Sequence, residues 1–428
     1  MAEVTPDKQT GAPPARPERA RQRNPLSRVL DAVAVPVLAV FTALVISGLI
    51  IAFSDPDVLK FLPNALQNPL ALLGAIWNSV SVAYLALLQG AFGNPSAIVG
   101  GWQQWQATGN ADELLRALRD PSESLVATAP YIFTGLSVAV GFKAGLFNIG
   151  AEGQVYAGAM ASAFVGYTFT GLPWFLLLPF ALVAGAAAGA VWGGIPGFLK
   201  AKTGAHEVIN TIMMNYIMFN LADWLVGPGG PMRAEGGAPR SPEIVPAAYL
   251  PTLLPDPVRL HWGFILALAV AAFVYWFLWK TTLGFELRTV GASPDAAKYA
   301  GMNITRNIVL AMALAGGLAG LGGANELLGL NHFFTASFSP GYGFDAIALA
   351  LLGKSNPVGV VLAALLFGIL RNGATRMQSI ANVPVDIVSV VQALIIAFIA
   401  APAIVRWLYH LRVPTVAERE VFTRGWGG

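Results

Sequence analysis

The chain of 428 residues is 55% hydrophobic and only 11% charged, with a mean hydropathy of +0.61. Soluble domains carry about 25% charged residues, so the composition excludes a soluble globular protein and points to an integral membrane protein. The absence of cysteine excludes disulfides, thiolate catalysis and cysteine-ligated zinc or iron–sulfur clusters. Four scattered histidines show no pair at helical ligand spacing, so no metal and no cofactor is expected. The net charge of +3 says less than where the charges lie.

The N-terminal 28 residues are rich in proline and arginine and do not read as a signal peptide. Lys8, Arg16, Arg19, Arg21, Arg23 and Arg28 make residues 1–28 a disordered basic arm on the cytoplasmic side. Residues 29–410 form a transmembrane domain. A hydrocarbon core of about 30 Å asks for roughly 20 apolar residues per helix. Spans fall near 33–53, 125–143, 148–168, 174–198, 207–226, 262–280, 304–327, 343–353, 357–371 and 384–405, the eighth short enough to be broken. The expected fold is therefore an all-α polytopic membrane protein of about ten transmembrane helices.

Lysine and arginine orient it. With the basic arm inside, inner loops hold Lys143, Lys200, Lys202, Lys280, Arg288, Lys298, Arg306 and Lys354, then Arg406 and Arg412. Outer loops hold Arg233 and Arg240, and an Arg116–Arg119 pair diluted by Asp112, Glu113, Asp120 and Glu123. Both termini, including the tail 411–428, are then cytoplasmic and residues 54–124 extracytoplasmic. The uncharged LALLGAIWNSVSVAYLALLQGAF, residues 70–92, is long enough to span, but counting it would reverse every later loop. It is expected as an outer helix lying along the interface. The second span then runs inward and the seventh outward, so repeats spanning these halves would be inverted, as in many transporters.

Polar groups interrupt this pattern first at GLFNIGAEGQ, residues 145–154. Gly145, Gly150 and Gly153 are poor helix formers, by about 1 kcal/mol each, and suggest a break between two helices. Asn148, Glu152 and Gln154 either satisfy the freed backbone or line a path, since a carboxylate at membrane depth costs about 2.5–3.5 kcal/mol. Later spans supply Asn210, Asn215 and Tyr216, then Asn325, Glu326 and Asn331, then Asn372, Gln378, Asp386 and Gln392. Singly these read as interhelical hydrogen bonds; as a set they read as a pathway for an uncharged polar solute. Gly185, Gly189, Gly193 and Gly197 stand four apart, and Gly316 and Gly320 repeat the device, which permits close helix packing and carries no chemistry.

The inner segment TTLGFELRTVGASPDAAKYAGMNITRN, residues 281–307, looks soluble. Ser293 caps and Pro294 opens a short helix that Gly301 ends. Such a helix on the cytoplasmic face either docks into a partner or simply connects spans. The glycosylation triplet at Asn303 lies on the inner side and is discounted. ALALLGKS, residues 348–355, imitates a phosphate loop, but its leucines and alanines lie within a span and cannot wrap phosphates. ATP binding is not expected of this chain.

GLFNIGAEGQ, HEVINTIMMNYI, TTLGFELRTVGASPDAAKYAGMNI, GFDAIALALLGKSNPVGVVLAALLFG and MQSIANVP occur in this order. From about residue 125 to 405 the chain resembles the permease subunits of bacterial ATP-binding cassette importers, closest to those for nucleosides and simple sugars, related to the branched-chain amino acid permeases. The resemblance implies no enzyme activity in the chain itself. It implies a second permease subunit, identical or different, ATPase subunits on the cytoplasmic side, and an extracytoplasmic substrate-binding protein. It also implies a coupling helix over 281–303 that receives the ATPase movement through Gly284, Glu286, Arg288, Gly291, Asp295, Ala297, Tyr299 and Gly301. The translocation-path candidates remain those read from the residues: Asn148, Glu152, Gln154, Asn210, Asn215, Tyr216, Asn325, Glu326, Asn372 and Gln392. A nucleoside is the expected solute and a ribose- or galactose-like sugar the alternative. An ion-gradient transporter using Glu152, Glu326 or Asp386 is the reading from another class. For a membrane enzyme the sequence offers no paired carboxylates or nucleophile elbow.

Overall fold

The computed structural model describes residues 25–381, and beyond them 383–384, 387, 389–390, 393–394, 397–398 and 401–410. Asp386, Gln392 and Arg412 therefore lie outside the described residues, as do positions 1–24 of the expected arm. Seven helices among the described residues are long and apolar enough to cross a membrane, and the chain is an all-α polytopic protein.

Helix α1 (Pro25–Ser54) begins inside the expected arm. Residues 54–124, expected as an extracytoplasmic stretch with one interfacial helix over 70–92, are mostly helical. Asp-Pro and Asn-Pro steps open α2 (Pro56–Phe61), α3 (Pro69–Phe92) and α4 (Pro95–Thr108). Asp55 and Asn94 accept from the N–H groups of Asp57 and Ser96, while proline at the first position loses no helical hydrogen bond. The C-terminal half of α3 is packed into the bundle rather than lying apart. Ala83, Ala86, Leu87 and Gly90 give it a narrow face against α1 and against Leu370, Gly373 and Met377, and the Tyr84 hydroxyl donates to the Leu44 carbonyl.

Helix α5 (Asp112–Lys143) starts well before the predicted span because its acidic first turn suits a helix N-terminus and its two prolines do not stop it. Around it stand α6 (Ala151–Thr168), α7 (Trp174–Thr203), α8 (Glu207–Val226), α9 (Trp262–Lys280) and α12 (Ile304–Glu326). The glycine rows act as the spacing implied. A Cβ on Gly189 would overlap the Gly316 carbonyl, and one on Gly158 the backbone of Gly320. Gly193 meets Gln154 and Gly316, whereas Gly185 meets Ser162 and Ala324. These pairings make α6 and α12 parallel, with α7 antiparallel to both. Since α6 turns back from α5, α12 runs against α5, the relation that opposite orientation of the second and seventh spans requires.

The inner segment holds two helices where one was expected. Thr281 caps α10 (Thr282–Ala292), accepting from the Gly284 N–H at 3.0 Å. Ser293 caps α11 (Pro294–Tyr299), accepting from the Ala296 N–H at 3.3 Å, and Gly301 follows with φ +80°. The eighth span is broken. After α12 comes a π-helical turn (Leu327–Asn331), then residues 332–341 run without a helix, pinned where the Ser241 N–H donates to the Phe334 carbonyl. Helix α13 (Tyr342–Leu352) starts only at Gly341. It runs parallel to α5, placing Tyr342 by Tyr131 and Leu349 by Gly135, and α14 (Pro357–Ala381) returns antiparallel, with Val360 by Gly135 and Gly368 by Thr128.

Candidate functional site

Two breaks in helical geometry among the described residues bring polar side chains together. At the first break, between α5 and α6, Gly145 takes φ +69° and presses against the backbone of Gly291 in α10. Asn148 donates to Gln154 Oε1 at 2.8 Å, and Gln154 Nε2 donates back to Asn148 Oδ1 at 3.1 Å. Asn148 Oδ1 also accepts the Gly150 N–H at 3.1 Å. From α8, Asn215 accepts the Gly153 N–H and donates to the Ile149 carbonyl, both at 2.9 Å. All three amides are buried. Of the two sequence readings for Asn148, Gln154 and Asn215, the geometry matches satisfaction of the freed backbone. Glutamate 207, at the start of α8, closes the α7–α8 turn on Lys200 at 2.6 Å.

At the second break, the exposed N–H groups of α13 are met from two sides. Ser339 Oγ accepts from the N–H groups of Gly341 and Tyr342, both at 3.2 Å. Glu152 Oε2, reaching across from α6, accepts the Gly343 N–H at 2.6 Å. A carboxyl at a helix N-terminus is favoured by the helix dipole and by its orphan N–H groups. Gly343 is glycine because a Cβ there would overlap the backbone at Ala151–Glu152. Around this point the Tyr342 hydroxyl donates to Glu326 Oε1 at 3.3 Å, and the Tyr131 hydroxyl to Asp345 Oδ2 at 2.9 Å. Arg371 of α14 donates to the Tyr131 hydroxyl at 3.1 Å, its guanidinium 5.6 Å from the Tyr342 ring centre. One guanidinium thus stands among three carboxyls. A half-helix starting inside the bundle is a recurrent way to build a transporter site.

The remaining candidates scatter. Asn325 is fully buried and, among the described residues, neither of its amide atoms has a partner. It packs against Gly263 and the ring of His261, which caps α9 by accepting the Gly263 N–H at 3.1 Å. Burial lowers the His261 pKa to about 4. Asn210 has a buried Nδ2 likewise without a partner, Tyr216 is exposed, and Asn372 ties α14 to Gly90, Asp120 and Ser124. Sequence reasoning missed Tyr131, Ser339, Tyr342, Asp345 and Arg371. Arg371 itself is the available signal: it follows an apolar run and reads as the end of a span, whereas α14 continues ten residues further.

In the inner segment the family-derived residues divide. Tyr299 is 97% exposed and Asp295 also faces out, whereas Glu286 accepts from Asn307 at 3.0 Å and Arg288 donates to the Leu278 carbonyl at 2.9 Å. Ala297 is buried under α11, and Gly284 and Gly291 make backbone-close contacts to α9 and to the first break.

Residues 121–400 match the family model described as the branched-chain amino acid transport system permease component. The guanosine ABC transporter permease NupP of Bacillus subtilis is 42% identical over 67% of this chain and 82% of its own. The nucleoside ABC transporter permease NupB of Lactococcus lactis is 39% identical, covering 68% of this chain and 82% of its own. A glucose ABC transporter permease of Haloferax volcanii is 39% identical, covering 65% and 75%. No solved structure matches. With a multi-pass helical bundle, a broken span and a family match over well over half its length, the chain belongs to the branched-chain amino acid transport system permease family and is a transport subunit of ABC type.

Proposed function

We propose that this permease carries a nucleoside inward across the membrane, driven by ATP that a separate ATPase subunit hydrolyses. The observation that carries the location of the path is the second break. A half-helix N-terminus, three carboxyls and a guanidinium stand at membrane depth, where charge is expensive unless it faces water or solute. The solute class is supported by the names of the guanosine and nucleoside relatives. The glucose relative supports a second reading, a simple sugar.

The lysine and arginine bias supports a cytoplasmic side for the termini and residues 281–303. In that orientation α10 and α11 face the ATPase. Asp295 and Tyr299 present the contact surface, while Glu286 and Arg288 hold α10 rigid through Asn307 and Leu278. Movement of α10 then passes to the first break where Gly291 abuts Gly145. A second permease subunit completes the path, and a binding protein delivers the solute from outside.

The test is uptake of labelled guanosine into proteoliposomes holding the chain with its ATPase, second permease and binding protein. ATP-dependent uptake blocked by nucleosides and not by glucose is expected; competition by glucose alone moves the assignment to sugars. Ion-gradient-driven uptake by the purified chain without an ATPase would overturn the proposal.

A further inference from the structure

Arg371, Tyr131 and Asp345 come from three different helices and hold one another through a single hydroxyl. The Tyr131 hydroxyl is both donor to Asp345 and acceptor from Arg371, so neither charge can turn without breaking a hydrogen bond. Tyr131 is itself fully buried, edge-on to Tyr342 at 5.0 Å and to Phe367 at 5.9 Å. Arg371 and Asp345 are only partly buried. Among the described residues the Tyr131 hydroxyl is the sole hydrogen-bond partner of each side chain, which leaves Asp345 Oδ1 and the Arg371 Nε and Nη2 groups unspent.

Unspent charged donors and acceptors on two partly buried side chains would be costly against hydrocarbon, so something polar must meet them. Their chemistry narrows the occupant. The Asp345 carboxyl held beside Arg371 through one hydroxyl offsets its charge, which disfavours an anion such as a phosphate ester. A fixed acceptor beside fixed donors suits a group that both donates and accepts on adjacent atoms. A vicinal diol does this: one hydroxyl donates to the free Asp345 oxygen while the diol oxygens accept from the Arg371 fork.

The geometry points to Asp345 and Arg371 as the solute contacts that recognise a vicinal diol in the translocation path, with Tyr131 as the positioning residue between them. This rests on the proposed nucleoside uptake, whose ribose carries such a diol.

The experiment compares guanosine with 2′,3′-dideoxyguanosine in the intact importer, in wild type, Asp345→Asn and Arg371→Lys. The binding protein is the same in every arm, so variant-to-wild-type ratios isolate the permease. Each substitution should cut maximal guanosine uptake about tenfold and leave dideoxyguanosine uptake within about twofold of wild type. Tyr131→Phe should give the same selective loss in smaller degree. Equal loss of both solutes in variants that reach the membrane in wild-type amount would make the cluster structural and overturn the inference. Failure of wild type to carry either nucleoside would instead overturn the proposed function. Should Asp345→Asn fail to assemble, Arg371→Lys, which keeps the charge but loses the fork, decides by the same ratio.

Discussion

The two breaks in the bundle use similar residues and end in opposite conditions. At 144–150 three buried amides pair with one another and with the backbone until their capacity is nearly used up. At 327–343 a serine and two glutamates cover part of the exposed backbone and tyrosine, but Asn325, Asp345 and Arg371 keep capacity to spare. The difference teaches that polarity at membrane depth is weak evidence for a pathway. What marks a site is polarity that the protein does not satisfy itself. The first break is a joint, touching α10 through Gly145 and Gly291; in the proposed function the second is the one that meets the solute.

The strongest way to break the comparison is Gly343→Val, which drives a branched side chain into the Ala151–Glu152 backbone. Guanosine uptake should fall below about a tenth of wild type, with a lower melting midpoint in detergent, because a tightly packed helix pair has no room to yield. Wild-type uptake would show that α13 and α6 are not fixed together. Asn148→Ala at the first break strands Gln154 and the Gly150 N–H in a buried site. A loss of about 3 kcal/mol is expected by denaturant titration, while uptake per folded molecule stays near wild type. Full stability with selective loss of transport would reverse the roles of the two breaks.

His261 gives a pH-dependent probe beside the second break. Its folded-state pKa, about 4, lies below the ordinary value of 6.5, because burial disfavours the charged ring and Nδ1 must stay unprotonated to accept the Gly263 N–H. Between pH 6.5 and 4 the unfolded chain binds a proton that the native chain refuses. Stability should therefore fall by about 3 kcal/mol as pH drops through that window and level off below it. His261→Asn, which can still cap α9, should lose that part of the slope in thermal melts. The smallest structural effect is expected from Tyr299→Ala. Melting should shift by no more than about 0.5 kcal/mol, since the side chain is almost wholly exposed, while uptake per ATP hydrolysed drops several-fold. Unchanged coupling would remove α11 from the ATPase contact.

Most helices were legible because membrane burial writes itself as long apolar runs; α8 and α9 match their predicted bounds and α6, α12 and α13 differ by a few residues. The glycine rows were legible for the same reason, since spacing by four survives any tertiary detail. Where charge and helix coincide the sequence misled. Asp112 to Glu123 looked like loop although α5 already runs there, and Arg371 looked like an end although α14 continues. α3 was placed at the interface because charge counting resists another span, yet its alanine face packs on α14. Which polar groups belong together was not legible at all. Asp345 stands beside Tyr131 and Arg371 only because α13 starts midway and lies parallel to α5, a long-range fact that no local pattern carries.

The most direct measurement is solute protection of single cysteines, for which the cysteine-free chain is a ready background. In the assembled importer, Ser339→Cys at the second break should react with a small water-soluble thiol reagent and be slowed by guanosine. Ser137→Cys, buried behind Asn148, should stay unlabelled with or without guanosine. Labelling and protection at 137 with none at 339 would contradict the account.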